Sequence, residues 1–169
     1  MAHHYGDFMR KQKYVMVSGG FDPVHVGHVR MIQEAAKYAE GLYVVINSDD
    51  WLLRKKGYIF MPWKERAEII EAIAGVSCAI AVDDSDGTVC DALRKLKPAY
   101  FANGGDRTNK NTPEMKVCEE LGIEMLWNVG GGKIQSSSTL VANSKKAKLK
   151  LEKPDLTPIQ QMDLFDINS

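Results

Sequence analysis

An α/β fold built on an open parallel sheet of five strands, with helices on both faces, is what this sequence predicts. Three features predict it. Five short apolar runs recur along the chain, the segments between them carry a helical period, and the first run ends in a glycine pair that opens a tight loop.

The first run, Tyr14–Ser18, is a buried strand entering the loop at Gly19-Gly20. Val26 to Ala39 follows as a helix, with Val29, Ile32, Ala35, Ala36 and Ala39 on one stripe. Gly41 stops it, and Leu42–Asn47 is the second strand. Strand, helix and strand in such a short span form a βαβ unit, whose crossover is right-handed and whose strands are parallel. Pro62 opens a helix whose inward stripe is Trp63, Ile69, Ile70 and Ile73. Ser77–Val82 is the third strand. Gly87–Leu96 is the next helix, with Val89, Leu93 and Leu96 inward. Ala99–Ala102, a helix over Thr112–Leu121, and Glu124–Asn128 complete the alternation. A last helix starts in Ser136–Ser138, whose hydroxyls suit an N-cap. The arrangement is Rossmann-like. In such sheets ligands bind beyond the carboxyl ends of the strands where strand order reverses, and the loop after the first strand belongs there.

The 169 residues suit one domain, expected over residues 13–147, with an N-terminal extension at 1–12 and a tail at 148–169. Lys plus Arg equals Asp plus Glu at 22 each, so no global field draws the chain to nucleic acid or membrane. No apolar run reaches the roughly 18 residues of a membrane span, and Met1–Lys13 lacks an apolar signal core; a cytoplasmic protein is expected. Cys78, Cys90 and Cys118 are widely spaced and read as reduced core thiols.

Chemistry concentrates in Gly19-Gly20-Phe21-Asp22-Pro23-Val24-His25-Val26-Gly27-His28. Phosphates favour a helix N-terminus, where unpaired N–H groups and the positive dipole end point at them. Gly19, Gly20 and Gly27 let the backbone come close to such groups. His25 and His28 are three apart and present to the same side, where an imidazole can donate to a phosphoryl oxygen as charge builds. The opposing reading is a pair of capping histidines. Leu53–Phe60 has three basic residues, Gly57 and no clear period, and is expected to be a mobile loop closing over phosphates. Asp83, Asp84 and Asp86 read as a solvated loop. Trp51, Trp63 and Trp127 are candidates for a substrate pocket, with Trp63 more simply core.

The ten-residue segment resembles the HxGH signature of the nucleotidyltransferase superfamily, which also holds the class I aminoacyl-tRNA synthetases. Later segments match in order: Asn47-Ser48-Asp49, Lys56-Gly57, Glu65 and Arg66 within Pro62–Ile70, Gly104-Gly105-Asp106, and Ile134–Thr139. The resemblance spans roughly Lys13 to Lys146 and is best to the heptose 1-phosphate adenylyltransferase group. Glycerol-3-phosphate cytidylyltransferase is similar in its first half. Nicotinate mononucleotide adenylyltransferases share the Asp22–His25 portion but not the later motifs.

The resemblance implies in-line attack of a substrate phosphate oxygen on the α-phosphorus of an NTP, ATP favoured over CTP, with Mg²⁺ riding on the phosphates. It implies that His25 and His28 contact the reacting phosphates and that Lys56 reaches them, with Arg54 and Lys55 adjacent. Gly19, Gly20, Phe21, Asp22, Gly27 and Gly105 would bind nucleotide, as would Ser136, Ser137 and Ser138. Asp106 would contact ribose or base, or serve as a turn aspartate. Arg66 would hold the acceptor phosphate, or pair on the helix surface with Glu65 or Glu68. No protein metal ligands are expected. The fold can also carry a catalytically silent nucleotide-binding regulator. A homodimer is expected. After five lysines in Lys145–Lys153, Gln161–Phe165 resembles a short peptide that docks on the replication sliding clamp, and packing back on the protein is its plainer role.

Overall fold

Alternating side chains along β1 (Tyr14–Gly19) face opposite ways, as a strand requires, and both faces are apolar. Val15 and Val17 enter one core cluster and Met16 the other, all fully buried. β2 (Gly41–Ile46) repeats this, with Leu42, Val44 and Ile46 on the first side and Val45 on the second. A strand buried on both faces needs helices on both, and the chain supplies them. The computed structural model describes residues 13–105, 112–132 and 135–144. The N-terminal extension, Asp106 and the tail with Gln161–Phe165 lie outside the described residues.

The remaining elements are α1 (Val26–Ala35), which runs on as a 3₁₀ turn at Ala36–Tyr38, then α2 (Asp49–Lys56), α3 (Trp63–Glu71), β3 (Cys78–Ala81) and α4 (Cys90–Leu96). β4 (Tyr100–Gly104), α5 (Pro113–Leu121), β5 (Glu124–Val129) and α6 (Ser137–Ser144) follow. α1 and α3 cover the first face through Ile32, Ala35, Ala67 and Ile70. α4 and α5 cover the second through Leu93, Val117 and Cys118, where burial pushes the Cys118 thiol up to about 11. The sheet is wholly parallel in the order β3-β2-β1-β4-β5. The chain therefore winds outward from β1 in one direction, then crosses to β4 and winds in the other. The reversal lies between β1 and β4, which places a crevice at their carboxyl ends.

Two expectations are corrected. Leu53–Phe60 is not a loop throughout, since α2 occupies it as far as Lys56. Ser48 caps that helix by accepting from the Trp51 N–H at 3.0 Å, and Gly57 ends it at φ 78°. Acids in the first turn and three bases in the last complement its dipole. On α3 the buried face is Arg66, Ala67 and Ile70, and Ile69 is exposed, because the helix is turned to bring a charged side chain inward. Among the described residues, no helix is long and apolar enough to cross a membrane.

Candidate active site

A cleft of about 240 Å³ opens at the reversal point. His25, Gly27, His28 and Met31 of α1 form one wall, and Lys56 reaches in from the end of α2. Gly104 ends β4 and Gly105 follows it, Val129 ends β5 and Gly130 to Gly132 follow it, and Gln135 to Ser138 bring the start of α6. The starts of α1 and α6 thus meet in one cleft, and their positive dipole ends favour an anion there.

The two histidines begin α1 as a reciprocal cap. The His25 ring accepts from the Gly27 N–H at its Nδ1 (3.1 Å), and the His28 ring accepts from the His25 N–H at its Nδ1 (3.3 Å). A nitrogen that accepts an N–H holds no proton, so each neutral ring carries its proton on Nε2. The rings stack at 3.7 Å between centroids, and Phe21 and His28 meet edge-to-face at 4.9 Å. Capping and function are therefore not alternatives for this pair. The caps fix the tautomer, and the tautomer makes Nε2 the donor nitrogen of both rings.

Lys56 is half-buried, and its Nζ donates to the Asp22 carbonyl at 3.1 Å. Burial pulls this ammonium below the ordinary lysine value, and the Asp22 charge works in the opposite direction. Its basic neighbours are engaged elsewhere. Arg54 donates to the Asp84 carbonyl at 2.8 Å, and Lys55 lies over the Trp51 ring at 5.2 Å.

Ser136 caps α6 by accepting from the Thr139 N–H at 3.2 Å, while the Ser137 hydroxyl donates to the Pro23 carbonyl at 2.8 Å. The second bond ties the last helix to the histidine loop. Of the residues expected to bind nucleotide, Gly27, Gly105, Ser136, Ser137 and Ser138 line this cleft with His25, His28 and Lys56.

Gly19, Gly20, Phe21 and Asp22 do not line it. Phe21 and Asp22 are buried beneath the loop. Both Asp22 carboxylate oxygens accept main-chain N–H groups, from Phe60 at 2.8 Å and Met61 at 2.6 Å.

Arg66 is the larger correction. It neither reaches the cleft nor lies on a helix surface, because its side chain is fully buried. Its guanidinium donates to the carbonyls of Met61 (3.0 Å), Gly20 (2.6 Å) and Asn47 (2.9 Å) and to the Asp49 carboxylate (2.6 Å). One planar fork thereby joins the ends of β1 and β2 to the segment before α3. Asp84 is likewise buried, not solvated. It accepts from the Asn47 amide, the Ser48 N–H and the Ser48 hydroxyl, at 3.1, 2.8 and 2.6 Å. Trp63 packs against the core, donates from Nε1 to the Ile46 carbonyl at 3.2 Å, and lines a second cleft with Ser48, Asp49, Asp50, Ala81 and Val82.

Met31 and the Gly130–Gly132 run also line the main cleft but carry no reactive group that would single them out in sequence. The glycines were the available signal, since three in a row after a strand mark a close backbone approach. Gly130 has φ 84°, and a Cβ there would stand 2.6 Å from the Met31 Cα of α1. Gly130→Ala is expected to destabilise the fold by more than about 1 kcal/mol, read as a lower urea midpoint. A midpoint equal to that of the native chain would refute this packing.

Among the described residues, no three His, Cys, Asp or Glu side chains are grouped to hold a metal ion, and no carboxylate lines the cleft.

Residues 16–130 match the sequence model of the family described as cytidylyltransferase-like. The chain is 34% identical to the bifunctional protein HldE of Geobacter metallireducens over 126 residues, covering 72% of this chain and 25% of that protein. It is 36% identical to HldE of Streptomyces coelicolor over 111 residues, covering 64% of this chain and 24% of that one. It thus spans about a quarter of these curated relatives. Among solved structures, a lipopolysaccharide core biosynthesis protein from Thermoplasma volcanium superposes with a TM-score of 0.57 at 26% identity, over 69% of this chain and 93% of that one. A bifunctional NMN adenylyltransferase/ADP ribose pyrophosphatase from Francisella tularensis shares the fold at 16% identity, with a TM-score of 0.58 over 78% of this chain and 42% of that one. The family match takes in more than half of the chain, and the chain belongs to the cytidylyltransferase-like family of nucleotidyltransferases.

Proposed function

We propose that the main cleft binds a nucleoside triphosphate, ATP in preference to CTP, and transfers its nucleoside monophosphate to a sugar 1-phosphate of the heptose type. An acceptor phosphate oxygen attacks the α-phosphorus, the bond from that phosphorus to the bridging oxygen breaks, and pyrophosphate leaves. The observation that carries this reading is the convergence of two imidazoles, one lysine side chain and two helix N-termini in one cleft. No side-chain nucleophile is required. The chain's part is to hold the triphosphate in line and to stabilise charge as it moves onto the leaving pyrophosphate.

In this reading His25 and His28 donate to oxygens at the reacting phosphorus, and Lys56 neutralises the leaving group. Gly105 and the N–H groups at Ser136–Ser138 receive the rest of the nucleotide. The second cleft, with the Trp63 ring and the Asp49 and Asp50 carboxylates, offers an aromatic wall and hydrogen-bond acceptors to a hydroxyl-rich acceptor. Mg²⁺ bound to the triphosphate would neutralise its charge, with the cleft supplying no carboxylate ligand among the described residues.

The competing pair is glycerol 3-phosphate with CTP, the nucleotide that the family's cytidylyltransferase-like description points to. Incubating the protein with each of the four NTPs and a panel of sugar and polyol phosphates, scored by pyrophosphate, separates the two. ATP with a sugar 1-phosphate is expected to give the fastest release. Faster release with CTP and glycerol 3-phosphate would replace the adenylyl reading. No release from any pair would point to a nucleotide-binding regulator instead.

A further inference from the structure

We propose that Asp22 is a positioning residue that holds Lys56 against the two histidines. The proposal rests on the reading that the cleft takes the phosphates of a nucleotide.

Asp22 grips the chain after α2 in two ways. Its buried carboxylate accepts the Phe60 and Met61 N–H groups, and its carbonyl accepts the Lys56 ammonium. The connector from Lys56 to Met61 is therefore fastened at both ends to one residue, and that residue stands three before His25 in the histidine loop. The other end of α2 is fixed independently. Ser48 caps it and is bonded to the buried Asp84, whose carbonyl takes Arg54. The helix is thus braced at its start by Asp84 and just beyond its end by Asp22.

A lysine needs such bracing. Its ammonium is a compact charge on a flexible stem, and ordering that stem costs up to about 2 kcal/mol of rotamer freedom. Holding Nζ on a carbonyl at the cleft meets that cost before a ligand arrives. The ammonium has three protons and this carbonyl takes one, so the same nitrogen can also donate to a phosphate oxygen. Arg54 and Lys55 cannot substitute while they hold the Asp84 carbonyl and the Trp51 ring.

The test is a double-mutant cycle with Asp22→Asn and Lys56→Met, read as the dissociation constant for pyrophosphate by calorimetry. Asparagine keeps the size of Asp22 but turns one acceptor into a donor facing a main-chain N–H. Asp22→Asn is expected to weaken pyrophosphate about tenfold in the native background and less than about twofold once Lys56 is Met, because the residue acts through the lysine. Effects that multiply, or unchanged binding in a folded Asp22→Asn chain, would overturn the proposal. A second measurement needs no Asp22 variant. In ¹⁵N-lysine-labelled native protein, the ammonium signal absent from Lys56→Met should be protected from solvent exchange before any ligand is added. An unprotected Lys56 signal would overturn the proposal as well. Native protein that binds no pyrophosphate would instead remove the reading of the cleft on which it rests.

Discussion

His28→Ala is expected to lower turnover by roughly 10²–10³-fold while changing NTP affinity much less, the usual cost of removing one donor aimed at developing charge. The reason lies in how the ring is held. Its Nδ1 accepts the His25 N–H, its face stacks on His25, and it meets the Phe21 ring edge-to-face. These contacts fix the ring and leave its proton on Nε2, so the donor needs no rearrangement when charge builds on phosphorus. Alanine removes both the donor and the acceptor of the capping bond, and two further variants separate these losses. His28→Asn keeps a polar atom near Nδ1, whereas His28→Gln keeps an amide nitrogen near Nε2. Glutamine should therefore retain more turnover than asparagine, measured as pyrophosphate release at saturating NTP. Turnover close to the native value in a folded His28→Ala chain would remove this histidine from the reaction.

Arg66→Ala is expected to cost about 3 kcal/mol of stability, the lower end for breaking a buried charged network. The lower end applies because the Asp49 side chain keeps 35% of its exposure. The loss comes from what is left behind: Gly20, Asn47 and Met61 carbonyls without their donor and a carboxylate without its cation. Lysine should rescue little, since a single ammonium cannot match a fork aimed at four oxygens. Urea denaturation measures the loss, and initial rates against acceptor concentration distinguish this role from phosphate binding. An acceptor-binding arginine would raise the acceptor KM and leave stability intact. That outcome would restore the assignment made from sequence and contradict the buried network.

How much of the site was legible depends on whether its signal was local. His25 and His28 were readable because strand, glycine pair and helix start are consecutive, and that local order already places imidazoles at a helix N-terminus. The serine run at α6 was readable for the same reason. α2 carried equally local signals, with Ser48, Asp49-Asp50, three terminal bases and Gly57, yet its weak apolar period concealed it. Periodicity reports a helix through its buried face, and α2 buries only Leu52.

The sequence by itself determined the order of elements, the apolar alternation that commits β1 and β2 to a sheet covered on both sides, and the glycine-histidine loop at its carboxyl edge. Only the tertiary structure decided what the charged residues do. Arg66, Asp22 and Asp84 look like surface or ligand-binding groups because no side chain in their own segments pairs with theirs. Apart from the Met61 carbonyl, five residues before Arg66, their partners are main-chain atoms and short polar side chains 17 to 46 residues away, brought near by the parallel crossovers. A carbonyl or N–H belongs to every residue and leaves no mark in the sequence, so the choice between meeting a ligand and bracing a loop is made by packing alone.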